Sequence, residues 1–426
     1  MKEDYIQYIW KFRLFNSLNL KTHSGKKVEI IKQGQQNFSS GPDFSNAKIK
    51  IDGQLWAGNV EIHVEQNAWN QHKHQFDEAY NNVILHVAYQ PSDLQLKTKN
   101  GRVLETIFLK DIIFENTEKN YKVLMQGKQS FVGCENLLQN ENIENFTFYD
   151  RLITERLERK IYEIEKDIEL CFGDLDKAFL ISLFKYFGAP QNKIPFEILA
   201  KNIELKHLIK QAVSVESLEA LLFGVAGFLD TEIDCDYKHK LENEYAYQKQ
   251  LYKIETPLKY SNWKFSAVRP PNFPTLRIAQ LAALLFKEQR WFSYIQDEKS
   301  IEKIRLKLKV EATEYWQTHY NFKVTSKQSK KKLSDAFLDK IMINVIVPFL
   351  FYYGRFVQEE QYIDKAFEIL LAIKPEKNKI TNSWHSIGLS NSNAFESQAL
   401  IELKQNYCKP KRCLNCSIGY KILKNE

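Results

Sequence analysis

Seven residues from Val83 to Tyr89 (Val-Ile-Leu-His-Val-Ala-Tyr) form a nearly continuous apolar run, and this run constrains the fold more than any other feature. A run this short is typical of a β-strand. Because it does not alternate between apolar and polar residues, both faces of the strand must be covered. The run therefore predicts a sheet with helices packed on it. It also places His86 in the interior, where a core histidine hydrogen-bonded to the backbone is the default interpretation.

The residues before this strand predict the rest of the same domain. Asp52-Gly53 is a strong turn dipeptide and predicts a β-hairpin. Residues 67–80 lack β-branched side chains and begin with Asn67, a suitable helix N-cap, so they predict a helix. The predicted order is helix, strand, hairpin, helix and buried strand, at residues 4–16, 28–31, 48–51, 56–64, 67–80 and 83–89.

From about residue 143 apolar residues recur at helical spacing, and the chain of 426 residues is too long for one ordinary core. The fold class predicted is α+β, with a mixed α/β domain over residues 1–135 followed by a mainly α-helical domain over 143–400. A Cys-containing C-terminal tail covers residues 401–426. The predicted helices of the second half include 177–187, 195–211, 216–229, 274–292, 300–317 and 334–357.

Two acidic residues bracket the predicted hairpin and suggest a metal site. Asp43 lies where a loop enters a strand, and Glu61 lies on the returning strand. Two carboxylates on neighbouring strands suit Mg²⁺ or Mn²⁺, which can polarise a phosphoryl oxygen and activate water. His63 is two residues after Glu61, so it shares a face of the strand and could orient water. In the alternative interpretation Asp43 is a turn residue, and Glu61 and His63 lie on the solvent face of an edge hairpin.

Four of the nine histidines fall between residues 63 and 86. His72 and His74 with Asp77 loosely resemble a set of metal ligands, whereas His63 lies on the hairpin and His86 inside the buried strand. On a helix, however, residues i and i+2 do not face one another, so only His74 and Asp77 would share a face. A dedicated transition-metal site built from these residues is therefore the less favoured interpretation.

Three cysteines lie within nine residues of the tail, as Cys408, Cys413 and Cys416. The C-x2-C spacing lets two thiolates reach one metal from a tight turn, and Cys408 is near enough to join them. The fourth ligand we predict is Cys134, with His385 as the second candidate. The set resembles the iron–sulfur clasp of certain RecB-like nucleases, and zinc suits the same ligands. Ordinary reduced thiols are the alternative.

The chain carries a formal net charge of +7, which tolerates a nucleic-acid partner without requiring one. Two basic segments, 327–332 and 263–269, are candidate contacts for nucleic acid, and a solvated loop and ordinary packing are their alternatives. The apolar window 342–353 is too short to cross a bilayer. Without a secretory signal or a disulfide-like cysteine pattern, we expect a cytoplasmic protein that does not enter a membrane.

The order of strand, Pro42-Asp43, hairpin, Glu61-Ile62-His63, helix and strand resembles the core of PD-(D/E)XK nucleases over about 90 residues. That resemblance implies that Asp43 and Glu61 bind Mg²⁺ and that His63 replaces the usual lysine. It also implies an acid on the first helix, for which Glu3 and Asp4 are the candidates.

The whole chain is also similar to an uncharacterised bacterial family. Ala68 departs from the aspartate that the family usually has before Trp69. The shared sequence motifs lie at Gly41 to Phe44, Trp56 to His63, Ala68 to His74, Tyr80 to Val87, Arg269 to Arg277 and Tyr407 to Cys416.

The favoured hypothesis is a Mg²⁺-dependent nuclease-like protein acting on the phosphodiesters of DNA or RNA, with Asp43, Glu61 and His63 at its centre. A non-catalytic nucleic-acid-binding or scaffold protein that retains the fold is the alternative. A third hypothesis is a hydrolase of another phosphate ester that uses the histidine cluster.

Overall fold

The structure is a computed structural model that describes residues 2–126, 131–135, 149–254, 257–389 and 391–424. Its chain divides into two compact units. The first comprises Met1–Phe146, Ser383–Leu389 and Leu403–Glu426, and the second comprises Thr147–Asn382 and Ser390–Glu402. The second unit is thus inserted into the sequence of the first. The predicted start of the helical region at residue 143 lies outside the described residues.

A mixed sheet forms the core of the first unit. The strands follow the order β1-β3-β4-β5-β8, and β2 also pairs with β3. The pairs β1–β3 and β3–β4 are antiparallel, whereas β4–β5 and β5–β8 are parallel. A separate ribbon joins β6 and β7. The strands are β1 (Val28–Lys32), β2 (Gln35–Gln36), β3 (Phe44–Ile51), β4 (Gln54–Glu65), β5 (Val83–Gln90), β6 (Leu96–Lys97), β7 (Val103–Leu104) and β8 (Thr106–Phe108).

The predicted hairpin is present as β3 and β4, and its two-residue turn is Asp52-Gly53. Both turn residues have positive φ, 51° and 81°, the backbone conformation that Asp-Gly turns favour. β4 is not an edge strand, because β5 pairs with its other side. The interpretation of Glu61 and His63 as residues of a solvent-facing edge is therefore wrong, and both side chains are buried.

Within the described residues, three helices of the first unit precede the second unit: α1 (Glu3–Phe12), α2 (Ala68–Gln71) and α3 (Glu115–Gln126). The single helix predicted over residues 67–80 is instead α2 followed by two 3-10 turns, His74–Phe76 and Glu78–Tyr80. The break falls at Lys73, whose φ of 63° is incompatible with a continuing α-helix. In the C-terminal segment of this unit, a π turn, a 3-10 turn and a helix cover Leu403–Cys408, Cys413–Asn415 and Ser417–Lys424.

The regular elements described in the second unit are helical, so the mixed α+β fold class is confirmed. Short 3-10 turns lie at Tyr260–Asn262 and Pro270–Asn272. Between residues 149 and 402 the helices are Tyr149–Leu170, Leu175–Gly188, Lys193–Lys201, Leu205–Gln211, Val215–Val225, Asp236–Tyr252, Pro274–Lys287, Trp291–Asp297, Ile301–Leu308, Glu314–Gln317, Asp335–Ile341, Val347–Val357, Glu360–Ala372, Lys379–Ser386 and Ala394–Glu402.

One helix of the second unit is long and apolar, and its bounds match the prediction over 334–357. The π turn Met342–Ile346 joins its two halves into a helix of 23 residues, Asp335–Val357. That helix is long and apolar enough to cross a bilayer, so the expectation that this segment is too short is wrong. In the structure 61% of its most apolar window is buried inside the protein. Such burial is typical of a core helix in a soluble protein.

Candidate metal centre

The sheet brings the acidic and imidazole side chains of three neighbouring strands to one face. Glu61 and His63 are two residues apart on β4 and share a face. The parallel register pairs Glu61 with His86 of β5, so His86 points to the same side. Glu61, His63 and His86 are 5%, 1% and 0% exposed. Asp43 immediately precedes β3, and its backbone N–H donates to Glu61 Oε2 at 3.1 Å.

Gly58 permits the close approach of β4 to the chain that enters β5. A Cβ atom at this position would lie 2.4 Å from the carbonyl oxygen of Asn82 and 2.5 Å from a methyl carbon of Ile84. The next residue, Asn59, donates its N–H to the same Asn82 carbonyl at 2.8 Å. Glycine at position 58 therefore allows the close approach at the start of this pairing, and a register shift between Asn59 and Val60 then aligns Glu61 with His86.

The break at Lys73 brings two further imidazoles to this face. His72 is the C-cap of α2 and is exposed, whereas His74 begins the next 3-10 turn and is buried. Their ring centroids are 5.4 Å apart. The argument that residues i and i+2 diverge on a helix is wrong here, because the chain is not helical between them. Asp77 has a structural role, since its side chain accepts the N–H of Ala79.

Ring nitrogens of three imidazoles have the spacing of ligands to a single metal ion, and a carboxylate oxygen lies beside two of them. His63 Nε2 lies 3.2 Å from His72 Nδ1 and 3.6 Å from Glu61 Oε1, and His74 Nε2 lies 3.4 Å from the same oxygen. One ligand atom from each of the three histidines lies within 4.8 Å of the other two. Two donors at about 2.0–2.2 Å from a tetrahedral ion are about 3.3–3.6 Å apart, so the observed distances fit.

A chain of hydrogen bonds behind His63 fixes the orientation of its ring. His63 Nδ1 lies 2.9 Å from His86 Nε2, and His86 Nδ1 lies 3.4 Å from Thr106 Oγ1. Gln66 donates to that hydroxyl at 3.1 Å. A histidine that binds a metal through Nε2 carries its proton on Nδ1 and donates it to such a partner. His86 is thus a core histidine, as predicted. Its ring nitrogens contact side chains, whereas the prediction was a hydrogen bond to the backbone.

Asp43 lies beside Glu61 and is held by two donors. Its Oδ1 accepts from the amide of Gln7 at 2.8 Å, and its Oδ2 accepts from the N–H of Ile62 at 2.9 Å. The free oxygen of Glu61, Oε1, points to the imidazoles. Glu61 is therefore the carboxylate that faces the cluster. Asp43 lies behind it, with both of its oxygens engaged.

Burial sets the protonation of the cluster in the absence of an ion. It raises the pKa of both Asp43 and Glu61, and the mutual repulsion of the two carboxylates adds to the rise for Asp43. Burial lowers the pKa of His74, and it lowers that of His86 to about 3. The pKa of His63 is lowered strongly by burial and by the neighbouring imidazoles. At neutral pH these three rings are uncharged, which leaves nitrogen lone pairs available to a cation.

The first helix contributes two side chains to this region. Gln7 holds Asp43, and Glu3 is near enough to His72 and His74 for their charges to lower the pKa of its carboxyl, although burial raises it overall. Glu3 was a weak candidate from the sequence, and Gln7 was missed. Their spacing of four residues, which places both on one face of α1, was the available signal. Thr106 and Gln66 were also missed, and no sequence pattern marks them.

The cysteine candidates come together elsewhere in the first unit. Cys134, Cys408, Cys413 and Cys416 line one cavity of about 210 Å³. None of these four described cysteines forms a disulfide. His385, the second candidate for the fourth ligand, is exposed, whereas its neighbour Trp384 lines the cavity.

The two basic segments of the second unit are only partly available to a partner. Lys331 is buried, and its ammonium group donates to Ser326 Oγ at 3.0 Å and lies 3.6 Å from the ring centroid of Tyr320. Lys327, Lys330 and Lys332 are exposed. Trp263 is buried and donates to the carbonyl of Ala226, so its ring is occupied by packing.

The chain thus combines a mixed α+β unit, whose interior gathers three imidazoles and a carboxylate, with a helical unit. It belongs to the DUF2851 family, whose model, described as a protein of unknown function, matches residues 3–379. That range includes the whole histidine cluster and Cys134, and it ends before the three cysteines of the tail. No curated protein and no solved structure matches the chain.

Proposed function

We propose that this protein is a metal-dependent hydrolase of phosphodiesters, nuclease-like in its chemistry. The observation that carries the proposal is the cluster of ring nitrogens of His63, His72 and His74 at ligand spacing, with Glu61 Oε1 beside those of His63 and His74. A second observation supports a cation at this place. His74 Nε2 is buried and makes no hydrogen bond within the described part of the chain.

The donor set favours a transition metal over Mg²⁺. Three imidazole nitrogens and one carboxylate oxygen suit Zn²⁺ or a similar ion, whereas Mg²⁺ selects oxygen ligands in octahedral geometry. The Mg²⁺ expected from the sequence is therefore replaced by Zn²⁺ or Mn²⁺ in this proposal. His63 acts as a ligand in place of the water-orienting role expected for it, since it is 1% exposed and its Nε2 lies 3.6 Å from Glu61 Oε1.

Each residue then has a defined part. Glu61, His63 and His74 hold the ion from the buried side, and His72 holds it at the exposed side, where a substrate has access. His86 and Thr106 keep the ring of His63 in place, and Gln7 with Asp43 supports Glu61. A bound divalent ion supplies the Lewis acidity that polarises a phosphoryl oxygen and activates water.

Phosphodiesters are proposed as the substrate for two reasons. The positions of Asp43 and Glu61 around the hairpin resemble the metal-binding pair of PD-(D/E)XK nucleases. The net charge of +7 is compatible with a polyanion, and Lys73, which lies between His72 and His74 in the sequence, is exposed. A nucleic-acid strand is the substrate that satisfies both.

The test combines metal analysis with a cleavage assay on single- and double-stranded DNA and RNA. Wild-type protein loaded with Zn²⁺, Mn²⁺ or Mg²⁺ is compared with Glu61→Gln and His74→Ala. Glu65→Gln is the matched control for Glu61→Gln, because Glu65 lies on the same strand and is exposed. His385→Ala is the control for His74→Ala, because His385 is exposed. We expect both site variants to lose activity and both controls to keep it.

Three other results would replace the proposal. Cleavage at equal rates by wild type and both site variants would exclude this site. Binding of nucleic acid without cleavage under every metal would support the non-catalytic alternative. Hydrolysis of a phosphomonoester such as p-nitrophenyl phosphate, with no action on nucleic acid, would leave the metal centre in place and change its substrate.

A further inference from the structure

Four cysteines that are far apart in the sequence meet at one cavity of the first unit, away from the histidine cluster. Cys134 precedes the inserted second unit, and Cys408, Cys413 and Cys416 follow it. Four thiols around one cavity are a metal-ligand set by number and type. The other two cysteines of the chain, Cys171 and Cys235, lie in the second unit and do not line this cavity.

The tail is folded so that its three cysteines line the same cavity. Cys408 ends a π turn, and the chain then reverses at Lys411, whose φ is 57° and whose N–H donates to the Cys408 carbonyl. Cys413 and Cys416 bracket a 3-10 turn closed by the Cys416 N–H on the Cys413 carbonyl at 3.2 Å. Gly419 completes the arrangement, since a Cβ there would lie 2.0 Å from the Cys413 carbonyl oxygen.

The segment that carries Cys134 is held against the same centre from the other side. Gly133 packs onto α3, where a Cβ atom would lie 2.6 Å from the carbonyl oxygen of Leu124. Lys404 of the tail donates its ammonium group to the carbonyl of Phe131. Thr117 and Asn120 of α3 donate to the carbonyls of Leu423 and Ile422 at 2.9 Å each. The tail and the segment before the inserted unit are thus in direct contact.

The surroundings of the cavity suit an anionic centre. Lys404, Lys409 and Lys411 line it, so positive charge is available to offset four thiolates. The free volume of about 210 Å³ is several times the roughly 30 Å³ that one water molecule takes in the liquid. A single zinc ion is bound directly by four thiolates and needs no cavity of this volume. A cluster of several iron and sulfide ions does need one.

We propose that Cys134, Cys408, Cys413 and Cys416 together bind an iron–sulfur cluster that fastens the C-terminal segment to the chain preceding the inserted unit. Binding releases the four thiol protons and replaces them with bonds to iron. The centre is structural, because it joins residues 134 and 408 across the inserted second unit. It is independent of the proposed hydrolase activity.

The first experiment measures metal and sulfide in the full-length protein purified without oxygen. We expect about four iron and four acid-labile sulfide ions per chain, with broad visible absorption. Cys134→Ser and Cys413→Ser should each lose most of the iron. The matched controls Cys171→Ser and Cys235→Ser should retain it. His74→Ala should also retain it, which separates this centre from the histidine cluster.

The second experiment uses folded wild-type protein to test whether the cluster holds the C-terminal segment in place. Misfolding of a variant therefore cannot affect the result. Oxidative removal of the cluster should increase hydrogen exchange of amides in 403–424 and 115–126 by at least tenfold. Exchange in β4 and β5 should stay unchanged. One zinc ion per chain without iron would overturn the cluster. Equal metal content in Cys134→Ser and wild type, or no metal after reconstitution with iron and sulfide, would overturn the four-cysteine site itself.

Discussion

Replacing Glu61 by glutamine tests the candidate metal centre most directly. The substitution keeps the size of the side chain and an oxygen near His63 and His74, but it removes the negative charge. Loss of an outer-shell partner of a ligand costs about 10- to 100-fold in metal affinity, so loss of a direct carboxylate ligand should cost more than that. A hundredfold loss corresponds to about 2.7 kcal/mol of binding free energy.

The pH dependence of binding gives the second part of this prediction. Burial raises the pKa of Glu61 above its ordinary value of 4.5, so a proton must leave when the ion binds at neutral pH. Affinity should then rise about tenfold for each pH unit between the ordinary and the raised pKa of this carboxyl. His63 and His74 add nothing to this slope, because their lowered pKa values leave them uncharged. In Glu61→Gln the slope should disappear.

The measurement is a competition titration of Zn²⁺ or Mn²⁺ against a chromophoric chelator at about pH 6, 7 and 8. Glu65→Gln should match wild type in both affinity and slope, since Glu65 is an exposed residue of the same strand. If Glu61→Gln bound the ion as tightly as wild type with the same pH dependence, Glu61 would not be a ligand, and the proposed centre would be wrong.

Three further predictions concern stability and the support of the cluster. Without metal, wild type should lose stability as pH rises from about 4.5 through the raised pKa of Glu61, by about 1.4 kcal/mol per pH unit. Thermal denaturation in chelator should show a smaller loss in Glu61→Gln, in which Asp43 still has a raised pKa, and a decline equal to that of wild type would contradict the contribution of Glu61. Gly58→Ala should lower the free energy of unfolding by about 1–3 kcal/mol in urea denaturation, because the added Cβ would clash with the Asn82 carbonyl oxygen. An unchanged urea midpoint would show that β4 and β5 can move apart there. His86→Ala and Thr106→Val should each weaken metal binding about 10- to 100-fold in calorimetry, and full affinity in both would remove their supporting role.

The central hairpin and the buried strand could be predicted from the sequence because their signals are local. Asp52-Gly53 encodes its own turn, and the apolar run at Val83 to Tyr89 requires cover on both faces wherever the strand lies. The neighbours of a strand in the sheet are not encoded by the residues of the strand itself. The partner of β4 on its second side is β5, which follows 18 residues later, and that pairing changes Glu61 and His63 from surface residues to buried ones.

The arrangement of His72 and His74 could not be predicted for a related reason. Residues 67–80 have helical composition, and one backbone change at Lys73 decides whether two imidazoles diverge or converge. A lysine with positive φ carries no recognisable signal, because that conformation is stabilised by the surrounding structure and not by the residue itself. The composition of residues 67–80 predicted one continuous helix. It gave no information on the change of direction between the helical turns.

The polar interior of the first unit argues for an ion more strongly than any single distance does. A purely structural network of imidazoles would satisfy each ring nitrogen, and His63 and His86 do have partners on both nitrogens. His74 does not, since its Nε2 is buried 3.4 Å from Glu61 Oε1 with no hydrogen bond in the part of the chain described here. An unsatisfied buried nitrogen costs about 1–3 kcal/mol, and a buried carboxylate facing it costs more. One divalent cation between them satisfies both groups, and the ring of Tyr80, stacked on the imidazole at 3.8 Å, keeps His74 in this orientation.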